Sequence, residues 1–239
     1  MRLMLLPLVL MMAMGWPTAS RAAPQGLFKA WVPAGWKLIQ QVQGDLDGDG
    51  REDAVLVLER TNPANIHRND GLGTSQLNLN PRRLLVLFQG PAGWRKGLQT
   101  DRFLPSENDA EAPCLADPLG EEAMAIRQGV LTIDLSNWSS CGSWGSAHYI
   151  FRFRLEEDRF RLIGLDITSR LRNTGEEGEF SINYLTGRTK NTETPPDAGE
   201  EGGPKPRTTW GRLPGPRAYY LDRMSSRCTA GNATTEWCR

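Results

Sequence analysis

The chain has 239 residues, of which 28 are basic and 28 acidic, so its formal net charge at pH 7 is zero. That balance excludes bulk electrostatic attraction to nucleic acid as an organising property, and the length suits one domain or a domain with an appendage. Two histidines and four cysteines offer little for a zinc cage: no C-x-x-C occurs, and His67 and His148 stand far from any cysteine pair.

In chain order, residues 1–22 begin with a positive Arg2, run almost continuously apolar from Leu3 to Trp16, and end in small residues at Ala22. This pattern is that of a secretory signal peptide cut after Ala22; the apolar run is shorter than the ~20 residues a membrane-spanning helix needs. The expected location is the periplasm or the cell exterior. No later stretch is long and apolar enough to span a bilayer.

Short runs rich in Val, Ile, Leu, Phe and Tyr follow: Trp36 to Val42, Ala54 to Leu58, Arg83 to Phe88, Leu131 to Leu135, Tyr149 to Leu155, Phe160 to Leu165 and Phe180 to Leu185. Several alternate with period 2, and no segment offers a capped 3.6-residue pattern, so the expected class is all-β. Glu156 to Arg159 and Arg127 to Gly129 read as hairpin turns, which implies an antiparallel meander forming a sandwich or a partial, propeller-like sheet. Alternating Arg152 and Arg154 are expected to face solvent or cover a sheet edge.

Thr61 to Asn80 is Asn- and Gly-rich and reads as a long surface loop. The β-rich domain is expected over 23–189. Lys190 to Arg207, with Pro195, Pro196, Gly199, Gly202 and Gly203, reads as a flexible linker. The segment 208–239 is expected to pack back on the sheet through Trp210 to Met224. Of the three possible disulfide pairings, Cys114 with Cys141 and Cys228 with Cys238 close modest loops and are the expected ones in an exported chain.

The densest chemical signal is GDLDGDGRED, Gly44 to Asp53. Counted from Asp45, carboxylates stand at positions 1, 3, 5 and 9 (Asp45, Asp47, Asp49, Asp53), with Gly50 at 6 and Arg51 at 7. Carboxylates two residues apart in a tight turn converge, a glycine permits the bend, and Arg51 can offer its carbonyl; hard oxygen ligands of this kind suit Ca²⁺. Position 12 is Leu56 rather than Glu, inside an apolar run, so the loop feeds a strand and not the exiting helix of an EF-hand.

This D-x-D-x-D-G-x-x-D turn resembles the calcium loop of FG-GAP repeats, found in integrin α-chain propellers and in VCBS-type repeats of bacterial exported proteins. The resemblance covers about 20 residues, and it implies side-chain ligation by Asp45, Asp47, Asp49 and Asp53 with a carbonyl from Arg51. Only one such loop occurs, so a complete propeller is not expected. The wider layout also resembles bacterial periplasmic proteins.

Catalytic patterns are sparse. Ser140 to Trp144 (SCGSW) lacks the second cysteine of a papain-like signature, and Cys141 is expected in a disulfide. His148 with Asp134 or Asp166 and Ser143 has no G-x-S-x-G elbow around it, and Glu156, Glu157 and Asp158 read as solvated turn residues. Trp138 and Trp144 are expected to pack on the disulfide, although small neighbours leave room for an exposed shelf. The expectation is a non-catalytic exported module with a structural Ca²⁺ and an envelope protein or glycan as partner; the alternative is an envelope glycan or peptide hydrolase near Trp138, Trp144 and His148.

Overall fold

The structure is a computed structural model that describes residues 26–199, 203–215 and 218–225. The chain divides into two compact units, Met1–Trp31 and Val32–Arg239. In the first, the described residues are a turn and a short 3-10 helix, Lys29–Trp31; the signal-peptide expectation for 1–22 lies outside the described residues, as do Cys228 and Cys238. Among the described residues no helix is long and apolar enough to cross a membrane.

The second unit is all-β. A four-stranded antiparallel sheet has the order β1 (Trp36–Gly44), β2 (Asp53–Arg60), β5 (Arg82–Gly90) and β6 (Gly93–Thr100). Between β2 and β5 the chain leaves to form a 3-10 turn, Pro63–Asn65, and a two-stranded ribbon of β3 (Ile66–Arg68) and β4 (Gln76–Asn78). The expected surface loop over 61–80 thus carries a small hairpin.

Seven further strands form one antiparallel meander in strict chain order. They are β7 (Met124–Arg127), β8 (Val130–Trp138), β9 (Gly145–Glu156), β10 (Arg159–Leu171), β11 (Glu177–Asn183), β12 (Arg188–Thr194) and β13 (Arg207–Arg212). Both turns read from the sequence are present. Glu157 and Asp158, joining β9 to β10, have φ of 50° and 63°, and Gln128 before Gly129 has φ of 51°. Positive φ at both central positions is what a two-residue hairpin loop requires, because its twist then matches that of the strands.

The two meanders share one core. Val55 and Val57 of β2 and Leu84, Val86 and Phe88 of β5 pack in the same cluster as Leu131, Ile133 and Leu135 of β8 and Tyr149, Phe151 and Phe153 of β9. Phe88 stacks on Phe160 of β10 with ring centroids 6.3 Å apart. Phe103, from the long connection between β6 and β7, meets Phe151 and Phe153 edge-on at 5.2 and 5.6 Å. The period-2 alternation is the cause: on β8, Thr132, Asp134 and Ser136 point away from the core that Leu131, Ile133 and Leu135 fill. β2 is buried on both faces from Asp53 to Glu59, as its unbroken apolar run suggests. The sheets do not close into a barrel; at one side Gly44 of β1 lies against Ile126 of β7, where an added Cβ would come within 2.7 Å of the Ile126 side chain.

Three local expectations are corrected. Lys190 to Thr194 belongs to β12 and Arg207 opens β13, so the linker shrinks at both ends. Tyr184 and Leu185 lie in the turn after β11. In the C-terminal segment Tyr219, Leu221 and Met224 join the core, but Trp210 stands on β13 with 64% of its surface exposed.

A buried ionic cluster ties the smaller sheet to the connection before β7. Arg82 donates through both terminal nitrogens to Asp117, at 2.6 and 2.7 Å, and through Nε to Glu59 at 3.1 Å. The second oxygen of Glu59 accepts from Lys37 at 2.8 Å and from Asn78 at 3.0 Å.

Candidate metal centre

The acidic loop is the hairpin connection between β1 and β2, entered from Gly44 and left through its register partner Asp53. Gly48 and Gly50 take φ of 80° and 82°, a region that a side chain disfavours and that lets the loop fold back on itself. The loop then organises its own carboxylates. Asp45 accepts from the backbone N–H groups of Gly48 (2.7 Å) and Gly50 (3.0 Å), Asp47 from that of Asp49 (3.2 Å), and Asp49 from that of Arg51 (2.8 Å).

As a result one oxygen from each of Asp45, Asp47 and Asp49 lies within 4.8 Å of the others. Two oxygens on opposite sides of a calcium ion, each about 2.3–2.6 Å from it, are about 4.6–5.2 Å apart. The three carboxylates could therefore surround such a cation without rebuilding the loop. The nearby positive charge of the protein itself is the Arg51 guanidinium on Asp49 and Arg95, 3.8 Å from Asp47. The Asp49 carboxyl is held below its ordinary value, first by the backbone N–H of Arg51 and then by that residue's guanidinium.

Asp53 is placed differently. It stands outside the group of three and is fully buried. One of its oxygens accepts from the backbone N–H of Leu46 at 2.9 Å and the other from that of Gln89 at 3.0 Å, fastening the loop to the end of β5. Burial pushes this carboxyl up, the two amide bonds oppose that, and the negative charges of Asp47 and Asp49 add to the rise. A carboxylate oxygen holds two lone pairs, so these bonds leave Asp53 capacity to face a cation.

The remaining candidates separate. Cys114 and Cys141 form a disulfide across 27 residues, which removes Cys141 as a nucleophile. Glu156 is engaged by Arg154 and Arg161, which hold its carboxyl below the ordinary range, the opposite of what a general acid needs. His148 Nδ1 is 3.4 Å from Asp134 on the outer face of the large sheet; Ser136, not Ser143, is its direct cross-strand neighbour. Arg152 pairs with Asp166 at 2.6 Å.

Trp138 and Trp144 do not pack into the core. They are 41% and 64% exposed: Trp138 continues the outward-facing set of β8 after Thr132, Asp134 and Ser136, where Arg172 lies over its ring at 5.3 Å while donating to the carbonyls of Ser139, Ser143 and Trp144. Four residues that carried no sequence assignment as a group, Arg188, Lys190, Trp210 and Arg212, share the outer face of β12 and β13; the alternation of Arg188 with Lys190 and of Trp210 with Arg212 was the available signal.

These features define a class: an all-β protein of two antiparallel meanders with a disulfide and an acidic hairpin loop fit for a cation. No protein-family model, no curated protein and no solved structure matches the chain.

Proposed function

We propose that the chain is an exported, non-catalytic binding module in which one calcium ion fastens the Asp45 to Asp53 hairpin. The observation that carries this reading is the convergence of Asp45, Asp47 and Asp49 to within 4.8 Å, a concentration of negative charge that a divalent cation neutralises. The likeness to FG-GAP and VCBS-type loops supports calcium in particular, with Asp53 and the Arg51 carbonyl completing the oxygen set. The Cys114 to Cys141 disulfide supports the periplasm or cell exterior, where such bonds persist. Binding only the folded state, the ion acts as a stabiliser.

Calorimetric titration of the oxidised protein is expected to show one site with a dissociation constant of about 10⁻⁴–10⁻³ M, the range of extracellular calcium modules. At 10 to 100 times that concentration the fold gains about 1.4–2.7 kcal/mol, read as a melting temperature that rises with calcium and falls with chelator. Asp47→Ala Asp49→Ala is expected to lose both effects. Absence of heat and of any melting shift in the unmodified protein would reduce the loop to a surface turn.

A second reading, a hydrolase acting on envelope glycans or peptides, is favoured by the exposure of Trp138 on the side of the sheet that carries the His148 and Asp134 pair. The pair is open to solvent and lacks the enclosed, convergent groups of an active site. His148→Ala is accordingly expected to leave turnover of peptidoglycan fragments at background, as in the unmodified protein; cleavage that the variant loses while still folded would establish the hydrolase instead.

A further inference from the structure

On the outer face of the large sheet, the β12 to β13 register sets Arg188 opposite Arg212 and Lys190 opposite Trp210. Cross-strand partners share a face, as do residues two apart along a strand, so the four side chains form one block on the last two strands. Neutral Asn183 and Ser181 of β11 adjoin it.

Six other arginines of this sheet have carboxylate partners: Arg152 with Asp166, Arg154 and Arg161 with Glu156, Arg159 with Asp222, Arg170 with Glu177 and Arg207 with Glu193; Arg127, at the end of β7, stands alone rather than in a cluster. Among the described residues Arg188, Lys190 and Arg212 form no ion pair. Arg188 instead lies 5.1 Å over the indole of Trp210, which stays 64% exposed. Glu179, opposite Thr192, is diagonal to Lys190, about 7–8 Å away by strand geometry. Like charges placed directly opposite weaken a sheet, and no anion among the described residues pairs with Arg188 or Arg212 to offset it.

A complementary anion supplied by a partner offsets it. The block is a row of side chains on two adjacent strands with Trp210 64% exposed, which suits an extended polymer better than a small molecule, since the latter needs a concave pocket. Three cations in a chain of zero net charge are few for nucleic acid, whose affinity comes from many phosphate contacts. The exposed indole beside the cations offers an apolar face with a polar edge, which suits the alternately apolar and hydroxylated surface of a sugar ring.

We infer that the Arg188, Lys190, Trp210 and Arg212 face binds an anionic polysaccharide, with carboxylate or phosphate groups on the three cations and a sugar ring against Trp210. This names a partner for the binding-module reading and rests on it, but not on the calcium loop. The competing account is that the cations only guard terminal strand β13 against pairing with another strand; it gives the indole no role and requires no ligand.

The test is affinity electrophoresis of the full oxidised protein in gels containing polygalacturonate, its fully methyl-esterified form, or polyglutamate. Retardation is expected by polygalacturonate, not by the uncharged ester, and more weakly by polyglutamate. Trp210→Ala is expected to weaken polygalacturonate binding about tenfold, the scale of a truncated aromatic anchor, and Arg188→Gln Lys190→Gln Arg212→Gln to abolish it. The triple variant relieves a repulsive pair and is expected to melt no lower than the unmodified protein; if it melts lower, Arg212→Gln alone carries the test, with binding about threefold weaker or more. The same retardation is expected in chelator and in Asp47→Ala Asp49→Ala, so failure of the calcium loop leaves this result standing. No retardation by polygalacturonate, retention in the charge variants, or equal retardation by polyglutamate with Trp210→Ala silent would overturn the assignment, the last pointing to an acidic polypeptide.

Discussion

Arg82→Met is expected to destabilise the fold by about 3–5 kcal/mol, the cost of removing one partner from a buried ion pair. Arg82 and Glu59 are both buried, and Arg82 also grips Asp117 with two parallel bonds. Without the guanidinium, Glu59 remains enclosed with Lys37 and Asn78 alone. In urea or guanidinium denaturation this reads as a lower midpoint with an unchanged slope. Glu59→Leu Arg82→Met is expected to cost less than Arg82→Met alone, because no uncompensated carboxylate is left inside; a double variant as unstable as the single one would show that packing, not charge, sets the loss.

The same cluster fixes part of the acid response. Burial pushes the Glu59 carboxyl up, but Lys37, Asn78 and Arg82 together outweigh it and hold the group below its ordinary value of 4.5. A carboxyl depressed in the folded state contributes its stability above pH 4.5, and that contribution is lost as the pH falls from there through the folded value. In Arg82→Met the opposing burial gains weight, so the loss of stability on acidification below pH 4.5 is expected to shrink.

Asp53→Ala is expected to cost about 1–3 kcal/mol for each of the two backbone amides it strands, those of Leu46 and Gln89. The measurement is denaturation in chelator, where no cation contributes. Asp53→Asn keeps the shape and one accepting oxygen, so its cost should be smaller. Calcium titration of Asp53→Asn then separates two roles: weakened calcium binding in a protein of near-normal stability marks Asp53 as a ligand, whereas an unchanged affinity confines it to fastening the loop. A fully stable Asp53→Ala protein would contradict the buried anchorage altogether.

The strands legible in the sequence are those whose alternation points one set of side chains into the shared core, such as Leu131, Ile133 and Leu135 or Phe151 and Phe153. β6 escaped because GWRKGLQT is an edge strand: with a neighbour on one side only, it tolerates Gly93, Gly97 and charges that a central strand would not. β12 and β13 escaped for a related reason. RTKNTET and RTTWGR carry little apolar periodicity, and their threonines mark β-propensity without marking burial. The linker expectation rested on polarity, which linkers share with strands that bury little, here the terminal β13 and its inner neighbour β12.

The acidic loop was legible because its turn is local: Asp45, Asp47 and Asp49 are brought together by hydrogen bonds spanning two to five residues. The burial of Asp53 was not, since Gln89 reaches it from 36 residues away. Trp138 and Trp144 were expected inside because aromatic residues beside a disulfide usually are; the alternation of β8 instead carries Trp138 outward with Thr132, Asp134 and Ser136, whereas the Arg172 guanidinium over its ring comes from far along the chain, where no local pattern announces it.

The strict chain order of the large meander bears on how the molecule forms. Each of its strands pairs only with strands adjacent in sequence, so no ladder within it waits for distant segments to meet, and the mean sequence separation of its contacts is low for a β protein. The sheet can therefore zip in both directions from the long hairpin of β9 and β10, whose turn spans only Glu157 and Asp158. In the small sheet, β2 must wait for β5 across the excursion that carries the 3-10 turn and the ribbon. Chain closure there rises only by about 0.6 kcal/mol per doubling of loop length, so the excursion delays the small sheet modestly and leaves room for the chain between β2 and β5 to vary in length.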